Sequence, residues 1–260
     1  MPRGYENRMF DTQLHDDNLP HNIFQIQKGK KKKRNRQQTQ TQFGLNIRNI
    51  EPRTATQALV TDSFYEGQNI LLHGWAGTGK TFISMYLALK DIIENRTNKE
   101  KLVVVRSVVP TRDMGFLPGS MAEKTKVYEA PYTAICTELF GRGDAYQILK
   151  GKGLVEFTST SFIRGITLNN SIVLVDECQN MTFHELDSII TRMGDNCQII
   201  FSGDYRQSDF RYENERDGLG EFMKIINNMN FFDSIEFNIS DIVRSPLVRQ
   251  YIIERAKHGM

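Results

Sequence analysis

The stretch Gly74-Trp-Ala-Gly-Thr-Gly-Lys-Thr81 decides how this sequence is read. It fits the pattern G-x-x-x-x-G-K-T without exception, and its surroundings fit as well. Before it, Asn69-Ile-Leu-Leu-His73 is an apolar run of strand length; after it, residues 81–95 carry a helical period. Strand, glycine-rich loop and helix in that order is the context this pattern requires. The glycines let the backbone curl into a nest of N–H groups that surrounds phosphate oxygens. Lys80 adds a point charge for the β- and γ-phosphates, and the Thr81 hydroxyl is placed for Mg²⁺. The helix presents its positive N-terminal end to the same anion. On this reading Gly74, Ala76, Gly77, Thr78, Gly79, Lys80 and Thr81 bind a nucleotide.

Working outward, further apolar runs of strand length alternate with stretches of helical period. Lys101-Leu-Val-Val-Val105 is a strand, followed by a long polar connection and a helical stretch over 124–140. Leu154-Val-Glu-Phe-Thr158, Ser171-Ile-Val-Leu-Val175, Gln198-Ile-Ile-Phe201 and Ser234-Ile-Glu-Phe-Asn238 are strands too. Continuous Val/Ile/Leu runs, rather than strict alternation, mark strands covered on both faces. The expected fold is therefore α/β, a mostly parallel sheet with helices on both faces.

The run Ser171–Val175 ends in Asp176 and Glu177. A carboxylate at a strand terminus beyond a phosphate loop is placed to hold Mg²⁺ through its water shell, which is Asp176's expected role. Glu177 beside it can take a proton from the attacking water as general base. Thr182-Phe-His-Glu185 is a capping box opening the next helix, so His184 and Glu185 are assigned no chemistry. Gly203-Asp-Tyr-Arg-Gln207 follows another buried strand, at the edge where ligands of open α/β sheets bind. Gln207 is expected to reach the γ-phosphate or its attacking water.

Composition allows a substantial core. The 260 residues are 39% hydrophobic and 25% charged, with a net charge of +2 too small to name a partner. Residues 1–42 are polar and unpatterned and carry the run Lys28-Gly-Lys-Lys-Lys-Lys-Arg-Asn-Arg36. They are expected to form a disordered basic tail before one domain over 43–260. That tail is read equally as a solvated segment or as a nucleic-acid arm. Three scattered cysteines suit a reducing compartment rather than a disulfide framework. Without a signal-peptide pattern or a spanning apolar run, a soluble cytoplasmic protein is expected, with no membrane partner.

The motifs taken together resemble the PhoH-like family of P-loop ATPases, whose core is similar to that of superfamily 1 helicases. The resemblance is carried by Gly77-Thr-Gly-Lys-Thr81, Arg106-Ser-Val-Val-Pro110, Gly115-Phe-Leu-Pro-Gly119 with Glu123-Lys124, and Phe162-Ile-Arg-Gly-Ile-Thr-Leu-Asn-Asn170. Val175-Asp-Glu-Cys-Gln-Asn180, Thr191-Arg-Met-Gly194, Gly203–Gln207 and Asp241-Ile-Val-Arg-Ser-Pro-Leu-Val248 complete it. It covers about residues 50–250, with Cys178 standing where Ala is usual. The resemblance implies a single RecA-like domain, ATP and Mg²⁺ as cofactors, a homo-hexameric ring, and a helicase-type activity on RNA or single-stranded nucleic acid. It also implies that Gln57 reads adenine, and that Arg244 touches a γ-phosphate, with a subunit boundary as one place for it to act. Arg164 and Arg192 are rivals for that finger role.

Arg106, Arg112, Lys124 and Lys126 sit in or beside the connection that follows the second strand. They are the expected cations for a single strand gripped by its phosphates. Two readings remain open here: an ATP-driven motor on a nucleic acid, and a nucleotide-dependent switch that moves no strand. A small-molecule kinase is disfavoured by the paired water-activating motifs. A GTPase is disfavoured because Asn98-Lys99-Glu100-Lys101 lacks the aspartate that reads guanine.

Overall fold

The computed structural model describes residues 44–107, 121–204 and 218–258, without the side chains of 121–125. The basic tail, Arg112, Gln207 and the Lys124 side chain therefore lie outside the described residues. All described residues belong to one compact unit.

The elements run α1 (Ala55–Tyr65), β1 (Asn69–Gly74), α2 (Lys80–Glu94), β2 (Lys101–Arg106), α3 (Met121–Phe140) and α4 (Ala145–Gly151). They continue with β3 (Val155–Ser159), β4 (Ser171–Asp176), α5 (Phe183–Ile190), β5 (Gln198–Ser202), α6 (Gly218–Ile226), β6 (Phe232–Phe237) and α7 (Pro246–Lys257). The six strands form one sheet in the order β3-β2-β4-β5-β1-β6. Every pairing is parallel, so the sheet is fully rather than mostly parallel.

Alternation within each strand feeds two cores. Ile172 and Leu174 of β4 pack on one face beside Ile83 and Leu87 of α2 and Cys136 and Leu139 of α3. Val173 and Val175 pack on the other beside Leu186 and Ile189 of α5 and Phe222 and Ile226 of α6. Because both faces are dry, all six residues of β4 are buried. This is why the period-two signal is hidden behind a continuous apolar run. Burying a Val, Leu or Ile side chain contributes roughly 1.5–3 kcal/mol, so these central strands dominate the stability of the unit.

Local chemistry sets the helix ends. The α5 capping box forms as expected: the Glu185 N–H donates to the Thr182 hydroxyl, and the Thr182 N–H to the Glu185 carboxylate at 2.9 Å. Asn95 closes α2 in a left-handed conformation, which Asn tolerates better than most residues. Among the described residues, no helix is long and apolar enough to cross a membrane.

Parallel strands put all six carboxyl ends on one edge, and the phosphate-loop stretch leaves that edge from β1. The opposite edge holds a different construction. The Leu168 N–H donates to Arg192 O at 2.8 Å, and the Gly194 N–H returns to Leu168 O at 2.7 Å. Residues 168–170 and 192–196 are thus laced together just ahead of β4 and β5. Arg192, a rival for the arginine finger, stands at the edge facing away from the phosphate loop.

Candidate active site

The loop from β1 to α2 is shaped by its neighbours. Gly74 ends β1 at φ +106°, and a Cβ there would lie 2.1 Å from the Phe237 carbonyl oxygen of β6. Trp75 N–H donates to that same oxygen at 2.9 Å. Gly77 and Gly79 also have positive φ, and Gly79 caps α2 in the left-handed region. Thr78 is fully buried and donates its hydroxyl to Trp75 O at 2.8 Å.

Lys80 reaches back over this curl. Its ammonium donates to Gly74 O at 2.9 Å and to Trp75 O at 2.8 Å. Burial pulls its pKa down, while the charges of Asp204, Glu177 and Asp176 pull it up. A cation held on loop carbonyls, among three carboxylates, is poised to exchange them for phosphate oxygens.

Thr81 begins the helix with its hydroxyl donating to Asp176 Oδ1 at 2.7 Å. Asp176 is buried at the carboxyl end of β4, and its other oxygen accepts from the Tyr132 hydroxyl at 2.9 Å. Burial raises the Asp176 pKa, the Glu177 charge adds to the rise, and the hydrogen bonds from Thr81 and Tyr132 oppose it. The hydroxyl and carboxylate are hard oxygen donors converging at the loop mouth. That is donor chemistry Mg²⁺ accepts when phosphates and water complete its shell. No cluster of three His, Cys, Asp or Glu side chains suited to a metal occurs among the described residues.

Glu177 follows in a left-handed conformation at φ +53° and is half-buried. Its Oε2 accepts from Gln179 Nε2 at 2.6 Å. Gln179, buried, uses its own carbonyl oxygen to accept the Asp204 N–H at 3.0 Å. One glutamine therefore ties the expected general base to the turn after β5. In sequence Gln179 is part of the D-E-x-Q motif without a role of its own, and the structure gives it this tie.

These groups face one cavity of about 600 Å³, within the usual range for small-molecule sites. Gln57, Ala76, Gly77, Gly79, Lys80, Thr81, Asp176, Glu177 and Arg244 line it, while Gly74 and Thr78 shape the loop behind. The placements of three expected residues are informative. Gln57 is buried with both amide ends engaged: it accepts the Arg53 N–H at 2.8 Å and donates to Thr78 O at 2.9 Å. It braces the phosphate loop from α1. Arg244 lies against Gly77 of its own chain, and Val243 N–H donates to Gly77 O at 3.1 Å. Arg106 ends β2 in register with Asp176 and lines the same cavity rather than standing apart on a strand-binding loop. Burial works against its charge, but the carboxylates of Glu177 and Asp176 help to offset that, and its pKa is raised. Lys126 is exposed on α3 and Arg164 is exposed in the β3–β4 connection, and neither lines the cavity. Asp204 and Glu138 also line it; Asp204 falls in the Gly203–Gln207 stretch expected at the ligand-binding edge, and nothing around Glu138 marked it as a cavity residue.

With the site assembled, comparison decides its kinship. The sequence profile of PhoH-like protein matches residues 49–255. The chain belongs to the PhoH-like family. Relatives include Protein PhoH2 of Bacillus subtilis, 32% identical over 65% of this chain and 38% of its own. The PhoH-like protein of Synechocystis is 32% identical over 69% of this chain and 54% of its own. Protein PhoH of Escherichia coli is 31% identical over 70% and 51%. This PhoH-like chain thus spans about half the length of the curated relatives it matches. Among solved structures it resembles the large terminase of bacteriophage D6E, with a TM-score of 0.46, 12% identity, and 77% and 50% of the two chains covered. The Pyrococcus furiosus Hef helicase domain matches with a TM-score of 0.40, 15% identity, and 75% and 39% covered. The fold of this PhoH-like chain is a six-stranded, all-parallel α/β sheet with the phosphate-loop sequence between β1 and α2.

Proposed function

We propose that this PhoH-like chain binds MgATP in the cavity at the carboxyl edge of its sheet and hydrolyses it, coupled to RNA or single-stranded nucleic acid. One observation carries the reading. Thr81, Asp176 and Glu177 meet the phosphate loop in a single cavity, with Glu177 held by Gln179 and Asp176 by Thr81 and Tyr132.

The roles follow from the geometry. Backbone N–H groups at 74–81 and the Lys80 ammonium take the phosphates. Thr81 and Asp176 would hold Mg²⁺, which would supply positive charge to the phosphates during transfer. Glu177 accepts the proton of the attacking water, and Gln179 keeps its carboxylate aimed into the cavity. Gln57 braces the loop and has one N–H left to offer the adenine ring. Arg244 and Arg106 supply positive charge to the phosphates from two sides. The position of Arg244 against Gly77 favours an action within its own chain.

The strand-binding part of the proposal rests on Arg112, Lys124 and the exposed Lys126, which flank or occupy the β2–α3 connection. A homo-hexameric ring in the cytoplasm belongs to the same proposal. It is supported by α7, which has no buried residue and leaves Leu247 79% and Tyr251 65% exposed. Steady-state turnover with and without single-stranded RNA or DNA tests the whole. Stimulation by either polymer supports coupling; turnover indifferent to both supports a nucleotide switch instead.

A further inference from the structure

We propose that Tyr132 is a positioning residue that fixes the Mg²⁺-holding carboxylate of Asp176 through its phenolic hydroxyl. The inference rests on the MgATP reading above and adds to it an anchor that lies outside every phosphate-loop and acidic motif.

The two carboxylate oxygens of Asp176 are shared between two donors. Thr81 takes Oδ1 at 2.7 Å, and Tyr132 takes Oδ2 at 2.9 Å. Thr81 stands in the first turn of α2 and, on the reading above, is itself a cation ligand. Tyr132 comes from α3, a separate element whose Cys136 and Leu139 are sunk in the core. Its side chain is fully buried, and its ring lies 5.9 Å from that of Phe157, tilted by 39°. The terminal torsion of an aspartate is soft and two-fold, so one hydrogen bond leaves the carboxylate free to rock. The second bond, from a rigid buried phenol, removes that freedom.

A cation stands beside the pair: the Arg106 guanidinium lies close enough to act electrostatically on both Tyr132 and Asp176. Arg106 ends β2 directly beside Asp176 in the sheet register. The hydrogen bonds from Tyr132 and Thr81 thus meet on Asp176 and join α3, β4 and α2 in one network. Mg²⁺ demands near-ideal octahedral geometry, so it gains more than a larger cation would from a carboxylate that cannot turn.

The test uses the full chain, Mn²⁺ as the probe and paramagnetic resonance to count bound ion in the presence of ADP. Tyr132→Phe removes only the hydroxyl. It should weaken Mn²⁺ binding by about 10-fold or more, the usual effect of losing an outer-shell partner. Affinity for ADP in chelator should stay within about twofold, since the phosphate loop is untouched. Phe157→Leu removes the neighbouring ring and keeps the hydroxyl, so it should retain Mn²⁺ affinity. Unchanged Mn²⁺ affinity in Tyr132→Phe overturns the inference, and so does an equal loss in Phe157→Leu, which would make packing the cause. If the wild-type chain binds ADP with no dependence on Mn²⁺, the MgATP reading itself fails, an outcome distinct from either.

Discussion

The Thr81 hydroxyl donates to the Asp176 carboxylate across 2.7 Å of space and 95 residues of chain. Their motifs assign both to one Mg²⁺, and the sheet explains how they meet. Parallel topology does it, by bringing the ends of β1 and β4 to one edge with only β5 between them. The contact joins the phosphate loop to the acidic motif without passing through the core. On the proposed function, a change at either residue is therefore a change at the metal site.

Asp176 should show a conflict between stability and function. Its carboxylate is buried, and its folded pKa is raised above the unfolded value by burial and by the charge of Glu177. The folded state then holds the proton more tightly than the unfolded chain does. The resulting stability is complete below the ordinary carboxylate range and is lost as pH rises through the folded value. Asp176→Asn, which cannot ionise, should melt above the metal-free wild type near neutral pH, each kcal/mol of gain showing as about 2–4 °C. The gain should shrink toward zero in acid, while metal-dependent nucleotide binding disappears. Calorimetry across pH checks this, and a gain independent of pH would contradict it.

Glu177→Gln should separate binding from chemistry. The amide keeps the size of the side chain and can still meet Gln179, but it cannot take a proton from water. ATP affinity should be unchanged and turnover should fall by about 10²–10⁴, the range for removing a general base. Equal losses in affinity and turnover would make the residue a ligand rather than a base.

Much of this arrangement was legible in the sequence, and the reasons are physical. All six strands fall within a residue or two of their apolar runs, and in β4 and β5 the reason is that every residue is buried. The phosphate loop, Asp176 and Glu177 were legible because their residue types are fixed by what phosphate and Mg²⁺ require. Tyr132 and Gln179 were not. Their roles come from tertiary juxtaposition, and a helical Tyr among apolar residues reads as core, which its ring indeed is. Arg106 was read as a strand contact because its charge is visible and its β2 register with Asp176 is not. The R-G-I-T-L-N-N and T-R-M-G stretches look like chemistry in sequence. At least residues 168–170 and 192–196 serve instead to lace the amino edge, where a Cβ on Gly194 would meet Asn169 Oδ1 at 2.1 Å.

Gly74→Ala tests the seat of the loop. The new methyl would have to displace the Phe237 carbonyl from the β1–β6 ladder and adopt φ +106° as well. Strained backbone of this kind costs of order 1–3 kcal/mol before the clash is counted, so the melting temperature should fall by at least ~3 °C. Nucleotide affinity should fall with it. A variant with wild-type melting would mean that β6 yields freely.

Arg244 against Gly77 predicts the outcome of mixing two inactive proteins. Glu177→Gln and Arg244→Ala subunits, combined before assembly, should give no activity beyond the sum of the two alone. Each chain then carries its own defect in its own cavity. Recovery of a sizeable fraction of wild-type turnover would place the arginine across a subunit boundary instead.

The central claim is that this cavity hydrolyses MgATP in response to a nucleic-acid strand. Steady-state phosphate release, with and without single-stranded RNA or DNA and with Glu177→Gln alongside, tests it most directly. The account predicts Mg²⁺-dependent turnover, raised by at least one polymer and lost in Glu177→Gln. Turnover equal in wild type and Glu177→Gln would contradict it, because the chemistry would then lie outside the cavity described.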